Sequence, residues 1–173
     1  MENEFLLLKI QNGQNGVFSK VAIQKGDHII DFCGKILDKQ ELPDSIESPE
    51  EDRFVQISKY KFLGPSGKFD DFINHSCNPN SGLHINNNQV ALIAIKDIKK
   101  DEEITWDYST TMFDDNWIMK CACDSANCRG VIKEFKFLPA ELKQRYMAFG
   151  VVPTYNMGNI DTSDPRQSKN FLV

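Results

Sequence analysis

The segment Phe72–Asn80 reads FINHSCNPN, and it decides how the rest of the chain is interpreted. It places His75, one of only three histidines, two residues before Cys77, one of only five cysteines. An Asn-Pro-Asn turn follows at once, since both residue types favour turns. An Asn-His pair alone is most often a hydrogen-bonded structural pair, so its meaning depends on what else the chain offers.

The other cysteines form a compact pattern near the C-terminus. KCACDSANCRG contains Cys121, Cys123 and Cys128 as C-x-C-x4-C in a loop of small and polar residues. A structural zinc site needs four ligands, and a sulfur ligand lies about 2.3 Å from the metal. Cys77 is the natural fourth ligand, whereas Cys33 lies in an apolar run and is interpreted as a small buried hydrophobe. The alternative is a set of free thiols in a surface loop.

Size and charge limit the class of protein. The 173 residues predict one compact domain with a tail, and 40% hydrophobic with 26% charged residues is typical of soluble globular proteins. The net charge of −5 argues against direct nucleic-acid binding and suits a basic peptide partner. The start, MENEFLLLKI, lacks the features of a signal peptide, and no run approaches a membrane span. We therefore expect an intracellular protein, cytoplasmic or nuclear, without membrane association.

Short β-type runs dominate the first two-thirds of the chain. They are EFLLLKI, VFSKVAI, DHIIDFCGKIL with a kink at Gly34, RFVQISKYKFLG and LHINNNQVALIAI. The last contains three asparagines that suit a hairpin turn, and QNGQNG predicts a turn after the first run. DKQELPDSIESPEED predicts an exposed loop with one helical turn. These runs predict a mainly β fold.

One helix is expected, near the C-terminus. LPAELKQRYMAFG has Pro139 at its first turn and Gly150 as its stop. At helical spacing one face would carry Leu138, Leu142, Tyr146 and Phe149. The chain after Tyr155 is polar and aperiodic, and it predicts a loose tail.

Four segments in order carry a family resemblance. They are NGVFSKVAIQKGDHIIDFCGKIL, FINHSCNPN, ALIAIKDIKKDEEITWDYS and CACDSANCRG, together spanning roughly Val17–Gly130. The series resembles the SET-domain family of protein lysine methyltransferases, with a post-SET zinc motif and without a pre-SET module. The resemblance implies small β-sheets with a C-terminal pseudoknot, in which FINHSC and ITWDY cross beneath the active site. It divides the chain into a SET domain (4–110), a post-SET zinc-binding loop (111–135), and a C-terminal helix and tail (136–173).

The resemblance also implies the chemistry. S-adenosylmethionine would donate a methyl group to the ε-amine of a lysine in a histone or another basic protein. Tyr108 matches the family's catalytic tyrosine, and the cofactor would be bound by Asn15, Gly16, Val17, Asn74, His75 and Tyr108. One structural Zn²⁺ would be held by Cys77, Cys121, Cys123 and Cys128, with Lys120 and Arg129 offsetting the charge of the thiolates.

An apolar channel for the lysine is the least specific part of the resemblance. Its predicted wall is Trp106, Phe54, Tyr60, Phe135 and Phe137, although core packing is an equal alternative for the last two. Asp71 stands where many members have arginine, which implies the loss of one cofactor contact.

Two other functions fit the same residues. One is a catalytically inactive SET-like module that binds a protein, and the unusual Asp71, Trp106 and Phe54 favour it. The other is a small zinc-binding structural domain without a cofactor. Retention of Tyr108 and of the Asn74–His75 pair favours the enzyme.

Overall fold

A computed structural model describes residues 3–11, 13–43, 53–113 and 117–158. Short strands dominate these ranges: β1 Leu6–Gln11, β2 Gln14–Ser19, β3 His28–Phe32, β4 Ile36–Asp38, β5 Val55–Gln56, β6 Lys61–Leu63, β7 Asn74–His75, β8 Ser81–Asn86, β9 Gln89–Ala94, β10 Thr105–Trp106, β11 Ile118–Lys120 and β12 Val131–Lys133. Two helices follow, α1 Ala140–Ala148 and α2 Thr154–Met157. Single 3-10 turns span Lys39–Glu41, Phe69–Phe72, Tyr108–Thr110 and Phe135–Phe137. The mainly β prediction is confirmed.

The strands form small separate sheets. Antiparallel sheets are β1-β2, β3-β9-β8, β4-β6-β5 and β11-β12, whereas β7 and β10 pair in parallel. The β8–β9 hairpin turns at Asn87 and Asn88, whose φ angles are 47° and 67°. Such positive φ angles are what a tight hairpin turn requires, and asparagine tolerates them. The predicted asparagine hairpin is therefore confirmed.

The first hairpin is tighter than the sequence suggested. QNGQNG was expected to be a turn throughout, but β2 already begins at Gln14, which pairs with Gln11. Gly13 supplies the positive φ, at 80°. A turn this short places the following Asn15 and Gly16 on a strand, and their backbone positions are fixed by pairing with β1.

The described chain buries two apolar clusters. The larger lies among the sheets and includes Val17, Leu83, Leu92 and Ile104, together with Trp106. The smaller is built by the C-terminal segment and consists of Ile95, Phe135, Leu138, Tyr146, Val151 and Val152. The second cluster docks the C-terminal segment against the sheets, because a Cβ added to Gly82 on β8 would lie 2.7 Å from the Val151 side chain.

Helix α1 follows its sequence signals. It begins after Pro139, and Gly150 with φ 70° ends it. Leu138 and Tyr146 are buried, and Leu142 and Phe149 pack beside them, so the predicted face is confirmed. The predicted helical turn in the long loop is also present at Lys39–Glu41. Residues 44–52 of that loop and residues 159–173 of the predicted tail lie outside the described residues.

Gly34 makes the kink between β3 and β4. Its φ is 146°, and an added Cβ would collide with the carbonyl oxygen of Gly64. The neighbouring Cys33 is only half-buried, so its interpretation as a buried hydrophobe was wrong. It stays partly accessible because β3 ends at Phe32, and its backbone N–H instead donates to Asp70 Oδ2 at 2.9 Å.

Replacing Gly34 with Ala should destabilise the fold by about 2–4 kcal/mol, since backbone strain and a backbone clash add together. The matched control is Gly67→Ala. Gly67 also has positive φ, at 74°, but nothing lies within 4 Å of an added Cβ, so only about 1 kcal/mol should be lost. Urea unfolding measures both. Equal losses in the two variants would contradict the collision with Gly64.

Candidate active site and metal centre

The opening motif and the WDY segment lie side by side. Asn74 pairs with Thr105 and His75 with Trp106, in parallel. The backbone N–H of Ser76 donates to the Trp106 carbonyl at 3.1 Å and extends the pairing. Segments thirty residues apart in the chain thus form one short ladder, and the structure packs FINHSC against ITWDY as predicted.

Asn74 ties this ladder to the first hairpin. Its Nδ2 donates to the Asn15 carbonyl at 2.9 Å and to Glu103 Oε1 at 2.8 Å. Gly16 lies against the same two side chains, because an added Cβ would stand 2.5 Å from Glu103 Oε1 and 3.2 Å from Asn74 Nδ2. A larger residue there would have to displace the Glu103 carboxylate from Asn74. Both amide hydrogens of Asn74 are used within the protein, so Oδ1 is the atom it can offer to a ligand.

Tyr108 follows the β7–β10 ladder, and hydrogen bonds hold both its backbone and its hydroxyl. Its backbone N–H donates to His75 Nδ1 at 3.2 Å, and its hydroxyl donates to the Ile73 carbonyl at 2.9 Å. Its ring lies 4.7 Å from the Trp106 ring and 5.3 Å from the His75 ring, between centroids. These contacts fix the phenol in one orientation beside the Asn74–His75 strand.

His75 connects Tyr108 to the cysteines. Burial lowers the pKa of His75 to about 4, against the nearby Asp107 charge, which raises it, so the ring is neutral at pH 7. A neutral ring that accepts at Nδ1 carries its proton on Nε2. That N–H points at Cys77 Sγ, 3.4 Å away, and donates to it. Tyr108, His75 and Cys77 therefore form one hydrogen-bonded chain.

The cysteines gather around Cys77 as the sequence predicted. Sγ of Cys121 lies 3.8 Å from that of Cys77 and 3.7 Å from that of Cys128. Two sulfurs of a tetrahedral zinc site lie about 3.8 Å apart when each zinc–sulfur bond is about 2.3 Å. Cys123 joins from the other side, where its Sγ accepts from the Cys77 backbone N–H at 3.4 Å.

The tightest four-residue group is not the predicted one. The ligand atoms of His75, Cys77, Cys121 and Cys123 lie within 4.8 Å of one another and could hold a metal ion, and Cys128 is not among these four. The two ligand sets require the proton of the His75 ring on different nitrogens. A metal bound at Nε2 would put the proton on Nδ1, which could then no longer accept from the Tyr108 backbone. The observed hydrogen bond thus favours His75 as a donor to Cys77 rather than as a ligand.

The protonation of the thiols differs from one cysteine to the next. Burial raises the pKa of Cys77 and of Cys121. The pKa of Cys123 is lowered to about 6, because hydrogen bonds from the backbone N–H of Cys77 and from Ser125 outweigh its burial. Cys123 is thus the thiol that loses its proton most easily, whereas Cys77 and Cys121 resist deprotonation. A bound cation is needed to hold all the cysteines as thiolates.

The charge of Arg129 acts to lower the pKa of Cys77 against burial, as expected, but its guanidinium is held by Asp107. Its guanidinium makes a two-pronged ion pair with Asp107, with Nη1–Oδ2 and Nη2–Oδ1 both at 2.7 Å. Burial lowers the pKa of Arg129, but the hydrogen bonds and charge of Asp107 outweigh it and raise the pKa overall. Only its backbone N–H reaches the cluster, 3.4 Å from Cys77 Sγ. The pair anchors the cysteine loop to the residue before Tyr108.

Comparison with known proteins assigns the family. The family model described as SET domain matches residues 14–109, more than half of the chain. The chain belongs to the SET-domain family. A SET-domain relative is the variant-silencing SET domain-containing protein of Plasmodium falciparum, 33% identical over 132 residues, which cover 65% of this chain and 5% of that protein.

A second relative is the mouse histone-lysine N-methyltransferase NSD3, 28% identical over 137 residues, or 73% of this chain and 10% of that protein. The SET chain therefore spans at most a tenth of either curated relative. Among solved structures, KRYPTONITE in complex with mCHG DNA and SAH matches with a TM-score of 0.61 and 22% identity, over 74% of this chain and 29% of that one. This match confirms the predicted SET fold.

The predicted channel residues lie in different surroundings. Trp106 is buried between Phe32 and Tyr108. Phe135 is fully buried in the smaller cluster, which favours the alternative of core packing. Phe137 is 56% exposed, at the end of the Phe135–Phe137 turn.

Phe54 and Tyr60 come from the β4-β6-β5 sheet. Phe54 is half-buried beside Gly64, where its Cε1 would lie 3.5 Å from an added Cβ. Tyr60 is 71% exposed at the turn between β5 and β6, so it does not line a dry wall. Tyr60 is therefore not supported as a channel residue, because the short turn leaves its ring in solvent.

Asp71 stands where many family members have arginine, and the structure gives it a local role that the sequence did not suggest. Its carboxylate accepts from the backbone N–H groups of Ser66 and Gly67 at 2.7–3.1 Å. It therefore closes the loop before the motif.

Two residues of the site were not predicted from the sequence, Asp107 and Glu103, although both lie within the quoted DEEITWDYS segment.

Within the residues that the structure describes, no helix has the length and apolar character needed to cross a membrane.

Proposed function

We propose that this SET domain transfers a methyl group from S-adenosylmethionine to the ε-amine of a lysine in a basic protein such as a histone. One observation carries the proposal: the Asn74–His75 strand lies in register against Thr105–Trp106 and fixes Tyr108 beside it. Relatives named histone-lysine N-methyltransferases support it. The net charge of −5 also attracts a lysine-rich tail.

The residues present fit the cofactor. Asn15, Gly16 and Val17 on β2 and the Asn74–His75 strand would hold it, and the bound cofactor supplies an activated methyl group. Gly16 keeps the backbone open beside Asn74. Asn74 would offer Oδ1 to a donor such as an ammonium group, because both its amide hydrogens bind the protein. KRYPTONITE, which shares the fold, was solved with SAH.

Methyl transfer requires the substrate lysine to reach the site uncharged. A lysine has a pKa of about 10.4, so deprotonation at pH 7 costs roughly 4–5 kcal/mol. A low-polarity surrounding lowers this cost, because burial disfavours the ammonium. Trp106 and Tyr108 provide such a surface, with rings 4.7 Å apart. The Tyr108 hydroxyl would orient the amine and stabilise developing charge as the nitrogen–carbon bond forms. Trp106 and Phe54 remain proposed channel residues, with Phe137 at the outer rim.

The metal centre would hold the post-SET loop (111–135) against the Asn-His motif. We assign one structural Zn²⁺ to Cys77, Cys121, Cys123 and Cys128. The Cys77–Cys121 and Cys121–Cys128 sulfur separations, 3.8 and 3.7 Å, match the edge of a tetrahedral zinc–sulfur site. Cys77 follows β7 by two residues and the other three lie in the loop after β11, so the ion would join residues 4–110 to the post-SET loop 111–135. The helix and tail, 136–173, form the third part.

The test is methylation of a lysine-containing peptide library and of core histones with isotopically labelled S-adenosylmethionine, read by mass spectrometry. Label on a lysine, lost when zinc is removed by a chelator, is the expected result. A calorimetric titration of S-adenosylmethionine, with and without chelator, runs alongside. Cofactor binding without transfer to any lysine would instead indicate the inactive protein-binding module. No binding at millimolar cofactor would overturn the proposal.

A further inference from the structure

We propose that the C-terminal segment Phe135–Asn156 positions the catalytic tyrosine, and that Tyr146 acts as a positioning residue for methyl transfer. The segment lies beyond residues 14–109, where the family model matches. The expected effect on kcat rests on the proposed function. The structural claim, that Tyr146 fixes the position of Tyr108, does not depend on methyl transfer.

The first contact is made at the residue before Tyr108. The Asp107 side chain is completely buried, and its carboxylate accepts from the Tyr146 hydroxyl at 2.9 Å. Arg129 donates two further bonds to the same carboxylate, and the Ser109 backbone N–H a fourth, at 3.1 Å. Asp107 is thus held from α1, from the cysteine loop and from its own turn at once.

The second contact is made along the backbone after Tyr108. The Thr110 carbonyl accepts from Asn156 Nδ2 at 2.9 Å. The Thr111 carbonyl accepts from the Tyr155 hydroxyl at 2.8 Å, and the Met112 carbonyl from the Phe135 backbone N–H at 3.2 Å. Three successive carbonyls are therefore fixed by groups from the C-terminal segment. The segment thus holds the backbone from Thr110, the last residue of the turn that carries Tyr108, to Met112.

The segment can hold this turn because it is anchored elsewhere. Val151 packs on Gly82 of β8, and Phe135 and Val152 are buried in the smaller apolar cluster. Tyr146 is itself buried there, so its hydroxyl has one fixed place. Since a misplacement of about 1 Å can cost a reaction about 100-fold, a small rotation of Asp107 would matter at the adjacent Tyr108.

Tyr146→Phe is the sharpest test, because it removes one oxygen and leaves the ring in its cluster. Arg129 keeps Asp107 paired, so the domain should fold and bind zinc normally. We expect kcat to fall by about 5- to 20-fold, with KM for S-adenosylmethionine and for peptide within about 2-fold. Val152→Ala is the control for loosening of the cluster: it removes no hydrogen bond to Asp107, so it should lower Tm at least as much while lowering kcat less than Tyr146→Phe does.

A second readout does not need turnover. The ring resonance of Tyr108 in ¹³C-tyrosine-labelled protein, identified by its loss in Tyr108→Phe, should shift further in Tyr146→Phe than in Val152→Ala. A resonance that shifts no further, or a kcat that falls no further, in Tyr146→Phe than in Val152→Ala would overturn the inference. If the unsubstituted protein transfers no methyl group, the proposed function fails, and the resonance shift still decides the positioning role.

Discussion

Tyr108→Phe is expected to lower kcat for methyl transfer by about 10²–10³-fold while leaving the affinity for S-adenosylmethionine nearly unchanged. The substitution removes the hydroxyl oxygen, whose lone pairs are proposed to face the amine while its proton binds the Ile73 carbonyl. Loss of one preorganised polar group that stabilises developing charge costs about this much in enzymes. The ring contacts with Trp106 and His75, and the backbone bond to His75 Nδ1, do not depend on the hydroxyl. The fold around the site should therefore survive.

Single-turnover kinetics with labelled cofactor measures the loss, and calorimetry measures cofactor affinity on the same samples. Tyr155→Phe is the matched control, because its hydroxyl also binds backbone carbonyls, those of Gln56 and Thr111. It should cost less than about 10-fold in kcat. A Tyr108→Phe variant that keeps more than a tenth of the rate would show that the phenol does not act at the transferring methyl.

The sequence predicted local turns and helix ends of the fold, and the family resemblance predicted one pairing of distant segments. The Asn87–Asn88 turn, α1 with its stop at Gly150, and the pairing of FINHSC with ITWDY were each expected and are each present. Local signals succeed here because turn residues act through their own φ angles and helix ends through neighbouring residues. The pairing of distant segments came from the family resemblance, since periodicity carries no information about which strands meet.

The sequence did not predict the polar contacts that hold these parts together. Arg129 was expected to offset thiolate charge, and its charge does act to lower the pKa of Cys77, but its ion pair with Asp107 was not predicted. Tyr146 was expected only as an apolar helix position, yet its hydroxyl reaches the same carboxylate. A residue pattern reveals which side chains are buried but not which buried polar groups become partners. Such partners are needed because an unpaired buried carboxylate is costly.

These contacts make the metal centre and the active site one structure. Cys77 is joined to Tyr108 through His75, and Arg129 links the cysteine loop to Asp107. A change at the metal can therefore reach the phenol along two short routes. The zinc ligands are then the residues at which the largest effect on both stability and activity is expected.

Cys128→Ser is expected to lower zinc affinity far more than His75→Gln does. Cys128 Sγ lies 3.7 Å from Cys121 Sγ, the separation of two zinc-bound sulfurs, so its loss leaves a three-ligand site. His75 donates from Nε2 to Cys77, and loss of such a supporting hydrogen bond costs about 10- to 100-fold in metal affinity. His75→Gln should keep one zinc per chain as purified, whereas Cys128→Ser should retain well under one.

Metal content by plasma mass spectrometry gives the stoichiometry, and the ligand-field bands of the Co²⁺-substituted protein report the ligand set. Four sulfurs are expected in the unsubstituted protein and in His75→Gln. Cys33→Ser is the control. Cys33 is half-buried just after β3, and its Sγ donates to the Asp31 carbonyl rather than joining the cluster. Full zinc in Cys128→Ser with loss in His75→Gln would make His75 the fourth ligand, as its place within 4.8 Å of the other three allows. The Tyr108 backbone would then have lost its acceptor at Nδ1, and the link from metal to phenol would run through Arg129 and Asp107 alone.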